Sequence, residues 1–155
     1  MATSLVLPTA LLDASALYGP TNRRELQQAA AAGLFVGFWS PWIVEELARD
    51  PTTEYFRTRP YSGATRRTLG TLSKRMMTFL IASFATVDPK PPFPEAWTDA
   101  DPGNDHVWAA AAAAKVTYVV SENTRHFPPR TTNGTHEWAD VAYLTPADFL
   151  ALISP

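Results

Sequence analysis

Apolar and polar positions follow one another along this chain in short blocks, and the blocks read as strands and helices in turn. Thr9 to Leu12 is an apolar run that stops at Asp13, the mark of a short buried strand. Ala14 to Tyr18 continues as a helical turn, broken by Gly19-Pro20. A helix resumes near Thr21 and runs through Glu25, Leu26 and the alanines to Gly33, which takes the left-handed backbone that closes a helix. Phe35 to Trp39, aromatic and branched, predicts a second strand. Ser40-Pro41 opens another helix in N-cap and N1 order, with Ile43 and Leu47 on one face, and Asp50-Pro51 closes it.

A linker then leads to Ser62. The spacing of Leu69, Leu72, Met76, Phe79 and Leu80 predicts a long helix from Ala64 to about Phe84, its methionines filling the core. Ala85 to Val87 is a short third strand. Asp88 to Pro102 holds Pro89, Pro91, Pro92, Pro94 and Pro102 and is a loop. The stretch from Asp101 opens a helix that continues through six alanines, Ala109 to Ala114. Val116 to Val120 is a buried strand ending in Ser121-Glu122-Asn123, Thr124 to Trp138 a loop with an Asn133-Gly134 turn, and Ala142 to Leu144 a last strand. Thr145-Pro146-Ala147-Asp148 starts a terminal helix.

Strands alternating with helices imply an α/β fold, here a three-layer α/β/α domain with a central, mainly parallel sheet of four to five strands. At 155 residues without an internal repeat, the chain is expected to be one domain, 1–155, in which about 51–100 form a variable helix and a proline-rich loop. No cysteine is present, which excludes a disulfide scaffold, a thiolate metal site and a cysteine nucleophile. No basic segment precedes the first apolar run and no stretch reaches the roughly 18 apolar residues of a membrane span. These features predict a soluble, cytoplasmic protein with no membrane partner.

A net charge of −2 argues against a surface that grips nucleic acid everywhere. The distribution matters more. Arg57, Arg59, Arg66, Arg67, Lys74 and Arg75 lie between Tyr55 and Ala85 with no acid among them, whereas Asp99, Asp101 and Asp105 follow with no base. Alone, the basic run reads as a solvated helix face. Beside an acidic pocket it also suits a phosphodiester substrate, because phosphate contacts supply position and most of the affinity.

Parallel strands emerge on one side of a sheet, so Asp13, the start of the Asp105 helix and Asn123 are expected to converge there. Asp13 is equally placed to cap the helix that follows it. Glu45 and Glu46 lie about 100° apart around their helix, so only one of them serves a common site. Clustered carboxylates repel one another and are a reason to bind a cation. Ser15 and Ser121 suit orienting roles rather than attack. His106, His126 and His136 lack ligand spacing, and His106 reads as a packing or surface residue. Tryptophans 39, 42, 97, 108 and 138 read as core, with Trp97 the candidate for stacking on a base. Ser15 stands where a phosphatase would need a second acid, and no glycine-rich turn follows the first strand as a dinucleotide site requires.

In order and spacing, Leu11-Leu12-Asp13-Ala14-Ser15, the Trp39 to Leu47 helix, Asp101-Pro102 with Asp105-His106-Val107, Val119 to Pro128 and Leu144 to Leu150 together resemble PIN-domain ribonucleases. The toxins of VapBC-type toxin–antitoxin pairs are well-known bacterial members. The resemblance spans nearly the whole chain and implies a metal-dependent endoribonuclease that hydrolyses RNA with Mg2+ or Mn2+, as the toxin of a type II pair. It implies Asp13, Glu46 and Asp105 as catalytic acids, with Ser15, Ser121 and Asn104 supporting them. Metal ligands would come from Asp13, Glu46, Asp101, Asp105 and Asn123. The third acid falls on Asp105 in one register and on Asn104 in another, with Asp101 reaching the metal directly or through water. The fourth family acid falls on Asn123. RNA is the implied partner, held by Arg66, Arg67, Lys74 and Arg75, together with a cognate antitoxin and a second copy of the chain. Asparagine at 104 and 123 keeps an alternative open, a module of the same kind that binds RNA or protein without cleaving.

Overall fold

A computed structural model describes residues 6–47, 75, 77–97 and 105–154. The linker expected before Ser62, the helix start at Ala64, and the sites at Asp101, Asn104, Arg66, Arg67 and Lys74 lie outside these residues. Six strands form one sheet: β1 (Thr9–Leu12), β2 (Val36–Trp39), β3 (Ala85–Thr86), β4 (Tyr118–Val120), β5 (Glu137–Trp138) and β6 (Val141–Leu144). Their order is β3-β2-β1-β4-β6-β5, with every pair parallel except β5 and β6. Helices are α1 (Ala14–Tyr18), α2 (Pro20–Ala31), α3 containing residues 41–47, α4 containing 77–83, α5 (Asp105–Ala114) and α6 (Pro146–Ile153).

Alternation along the strands decides what each face meets. Ala10, Leu12, Tyr118 and Val120 share one face by register, and Tyr143 on β6 points to the other. On the first face Phe149 of α6 packs edge-on against Phe35, with ring centroids 5.0 Å apart, and tilts against Tyr118 at 5.7 Å. On the second, Trp97 bridges Tyr143 and Trp108 of α5. Helices therefore cover both faces, as a mainly parallel sheet requires.

Pro20 ends α1 and also begins α2, because a residue without an N–H suits the first helical position. At the other end, Gly33 has φ +76, Leu34 N–H donates to Ala29 O, and Gly33 N–H donates to Ala30 O. That pair of bonds is a Schellman closure and satisfies carbonyls the helix would leave open. Gly37 has a different reason to be glycine: a Cβ there would meet the Phe84 ring at 2.6 Å. Leu80 of α4 and Phe84 just past its end are buried, while Phe79, expected to face inward, is 61% exposed. Phe79 directly precedes Leu80, so burying Leu80 turns it about 100° away.

The sheet has one strand more than expected, and the addition is a hairpin. The Asn133-Gly134 turn does form, with Gly134 at φ +79, but it closes only an isolated bridge between Arg130 and His136. The ladder is instead closed by Ala139 and Asp140, with φ values of 49° and 67° between β5 and β6. Positive φ at both central residues is the type I′ geometry that matches strand twist, yet Ala139 carries a Cβ into it. Ala139→Gly is therefore expected to stabilise the fold by about 0.5–1 kcal/mol, read as a raised urea midpoint. An unchanged or lowered midpoint would mean that the strained turn is relieved in solution.

Candidate functional site

The strand order reverses between β1 and β4: β2 and β3 lie to one side of β1, and β4, β6 and β5 to the other. The crevice beyond the carboxyl ends at such a point is where open α/β sheets bind ligands. Asp13 stands at the end of β1 and Ser121 at the end of β4, and Asp13 N–H donates to Val120 O at 3.0 Å to tie the two ends together.

The Asp13 carboxyl is 4% exposed and serves both roles open to it in the sequence. Oδ1 accepts from the Ala14 N–H at 2.9 Å and caps α1. Oδ2 accepts from Ser121 Oγ at 2.8 Å and Ser15 Oγ at 2.9 Å. Each serine is itself fixed from behind: Glu122 N–H donates to Ser15 Oγ and Asn123 N–H to Ser121 Oγ, both at 3.0 Å. A hydroxyl has one proton, so two serines that both donate to Oδ2 have none left for their own 3.1 Å contact. The result is a carboxylate held in one orientation by two serines that backbone amides fix in turn.

Burial pushes the Asp13 carboxyl above its ordinary 3.8, helped by the Glu46 charge, while the hydrogen bonds from Ser121, Ser15 and Ala14 pull it down. Desolvation wins. The Tyr143 hydroxyl is raised as well, first by burial and then by the charge of Asp13, and so stays protonated.

Asp13 lines a pocket that is open to solvent. Ser121, Asn123, Asp105 and His126 share the lining with Trp97, Trp108, Phe127 and Tyr143. Asp105, at the start of α5, and Asn123, just past β4, are both solvent-exposed. Trp97 thus reaches the pocket, although it is 7% exposed and packed edge-on against Trp108, Trp138 and Tyr143.

Glu46 is placed differently. It lies close enough for its charge to bear on Asp13, but its Oε1 is 2.8 Å from His106 Nε2, and the pocket lining does not include it. Among the described residues no three His, Cys, Asp or Glu side chains come close enough to hold one ion together. Asp13 and Asp105 therefore share a pocket, and Glu46 stands beside it. Glu45 is exposed, and Arg75 is exposed beside α4.

Two residues of the site are not evident from the sequence. His106 reads there only as a packing or surface residue, and its position beside Asp105 in the first turn of a helix is the available signal. Tyr143 carries none, since a tyrosine in a strand is ordinary core. His136 is occupied elsewhere, its Nδ1 2.7 Å from Pro128 O. Among the described residues no helix is long and apolar enough to cross a membrane. No family model matches the chain, and neither a curated protein nor a solved structure is detectably similar to it.

Proposed function

We propose that this protein is a metal-dependent endoribonuclease of the PIN type, using Mg2+ or Mn2+, and the toxin of a toxin–antitoxin pair. The observation that carries the reading is Asp13, a buried carboxyl at the reversal point of a parallel sheet, aimed by Ser15 and Ser121 into a pocket shared with Asp105 and Asn123. Buried carboxyls are costly unless a charge or a proton neutralises them. The donors present fit a hard divalent cation, since Asp13, Asp105, Glu46 and the Asn123 amide all offer oxygen. Asp13 and Asp105 would hold it, with Glu46 and Asn123 reaching it directly or through its water shell, and Asp101 as a further candidate from the sequence.

When bound, the cation supplies a water of lowered pKa and neutralises charge growing on the phosphate. The chain's own residues do the rest. Ser15 and Ser121 hold Oδ2 of Asp13 in one orientation, so the carboxylate is set before substrate arrives. Tyr143, kept neutral by burial, remains a hydrogen-bond donor at the pocket wall. Trp97, Trp108 and Phe127 restrict water around the carboxylate.

Arg66, Arg67, Lys74 and Arg75 would follow the RNA backbone, and the antitoxin and a second copy of the chain are the protein partners this reading carries. Replacing Arg66 and Arg67 together with alanine is expected to weaken binding of single-stranded RNA. The slope of log affinity against log salt should also become shallower by about 1.4, at roughly 0.7 for each phosphate no longer neutralised. An unchanged slope would return these arginines to the solvated surface.

The test of the function is cleavage of mixed RNA by the purified chain with Mg2+, Mn2+ or EDTA, beside Asp13→Asn. Cutting that needs both metal and Asp13 supports the reading, and cutting unchanged by Asp13→Asn overturns it. The second reading, a module that binds RNA or protein without cleaving, is favoured by Asn123, an amide in the pocket lining where the resemblance implies a fourth acid. RNA binding without cleavage in any metal would select it.

A further inference from the structure

His106, in the first turn of α5, is 7% exposed and held on two sides by α3. Its Nε2 lies 2.8 Å from Glu46 Oε1. Its ring lies nearly parallel to the Trp42 indole, 18° apart with centroids at 5.7 Å. Trp42 and Glu46 are four residues apart on α3 and so share a face, one gripping the flat of the ring and the other its edge. Phe93 packs edge-on to Trp42 at 6.5 Å and steadies the indole in turn.

A residue there merely to pack would not need a polar ring. His106 Nδ1 is buried without a hydrogen-bond partner among the described residues, a cost that leucine in the same space would avoid. The compensating contact is with Glu46. An ionised carboxylate only accepts, so the shared proton sits on Nε2 and the imidazole donates. Glu46 Oε1 is then committed, and Oε2 is the oxygen left for another partner. The same bond ties α3 to the helix that carries Asp105, the residue directly before His106.

We infer that His106 is a positioning residue that fixes the Glu46 carboxylate for a divalent cation at the Asp13 pocket. The inference rests on the metal-dependent reading above. It accounts for the use of Glu46 rather than Glu45, which no local feature of α3 distinguishes. Partners that hold a ligand carboxylate from behind set its orientation, and removing them typically lowers metal affinity about 10–100-fold.

The experiment is calorimetric titration of the full chain with Mn2+ alone, without RNA. His106→Leu is expected to weaken Mn2+ binding about 10–100-fold, and His106→Gln, which keeps an N–H donor, to recover part of that loss. In a Glu46→Gln background His106→Leu should have no further effect, because the two act as one unit. Losses that add in the double variant, or an unchanged affinity in folded His106→Leu, would overturn the inference. Should His106→Leu fail to fold, Trp42→Leu at the half-exposed face of the stack carries the same test, with weaker binding expected and unchanged affinity overturning it. If Asp13→Asn abolishes Mn2+ binding while Glu46→Gln leaves it intact, the role of His106 falls and the ribonuclease reading stands. No Mn2+ binding by the wild type would overturn both.

Discussion

Asp13→Asn is expected to abolish metal-dependent RNA cleavage and, in the same protein, to raise the stability of the metal-free fold. The loss of activity should reach roughly a thousandfold, since the several kcal/mol of transition-state stabilisation a metal supplies convert at about 1.36 kcal/mol per tenfold. The gain in stability follows from burial. Asp13 sits above its ordinary 3.8 in the folded protein because desolvation opposes its charge. Below pH 3.8 the carboxyl is protonated both folded and unfolded and contributes no penalty. As pH rises through the raised folded value, the folded state must ionise against burial and stability is lost. Melts in EDTA should therefore show wild type falling behind Asp13→Asn as pH rises from about 4 towards neutrality, and levelling once the carboxyl is fully ionised. Mg2+ should reverse the order by binding only wild type, adding about 2.7 kcal/mol at a hundred times its dissociation constant. Parallel pH profiles for the two proteins would show that burial of Asp13 is not what its geometry implies.

The largest effect on the fold itself is expected at Phe149. Its side chain is fully buried between Phe35 and Tyr118 and anchors α6 to the sheet. Phe149→Ala should cost about 3–5 kcal/mol, combining transfer energy with the cavity left behind. For a domain whose total stability is about 5–15 kcal/mol, that approaches the threshold of folding at physiological temperature. Urea denaturation gives the number, and Phe149→Leu should cost much less because it refills most of the volume. A cost below about 1 kcal/mol would mean that α6 is not docked in solution.

Both expectations concern residues whose local role is legible without coordinates. Leu11-Leu12-Asp13 reads as a strand delivering a carboxylate because an apolar run that stops at an acid and turns into a helix marks the end of a buried strand. Thr145-Pro146-Ala147-Asp148 reads as a helix start, and the Thr145 side chain does accept from the Asp148 N–H. These are signals within four residues of one another, which backbone geometry converts directly into structure. The β5–β6 hairpin is hidden for the complementary reason. Asp140 tolerates the left-handed backbone but Ala139 does not signal it, and the strain at Ala139 accompanies the pairing of Trp138 with Val141. Asn133-Gly134 carries the strong turn signal and contributes only a bridge.

By itself the sequence determined the alternation of strands and helices, the helix boundaries that capping residues mark, and the arrival of Asp13, Ser121, Asn123 and Asp105 at one end of a parallel sheet. Those follow from periods of about two and 3.6 residues and from the rule that parallel strands share a direction. Only the tertiary structure decided that Asp13 is buried deeply enough for desolvation to outweigh its three hydrogen bonds. It also decided that one oxygen of Glu46 is taken by His106, 60 residues away. Burial and hydrogen bonding between distant segments depend on distances set by packing of the whole core, and no local pattern encodes them.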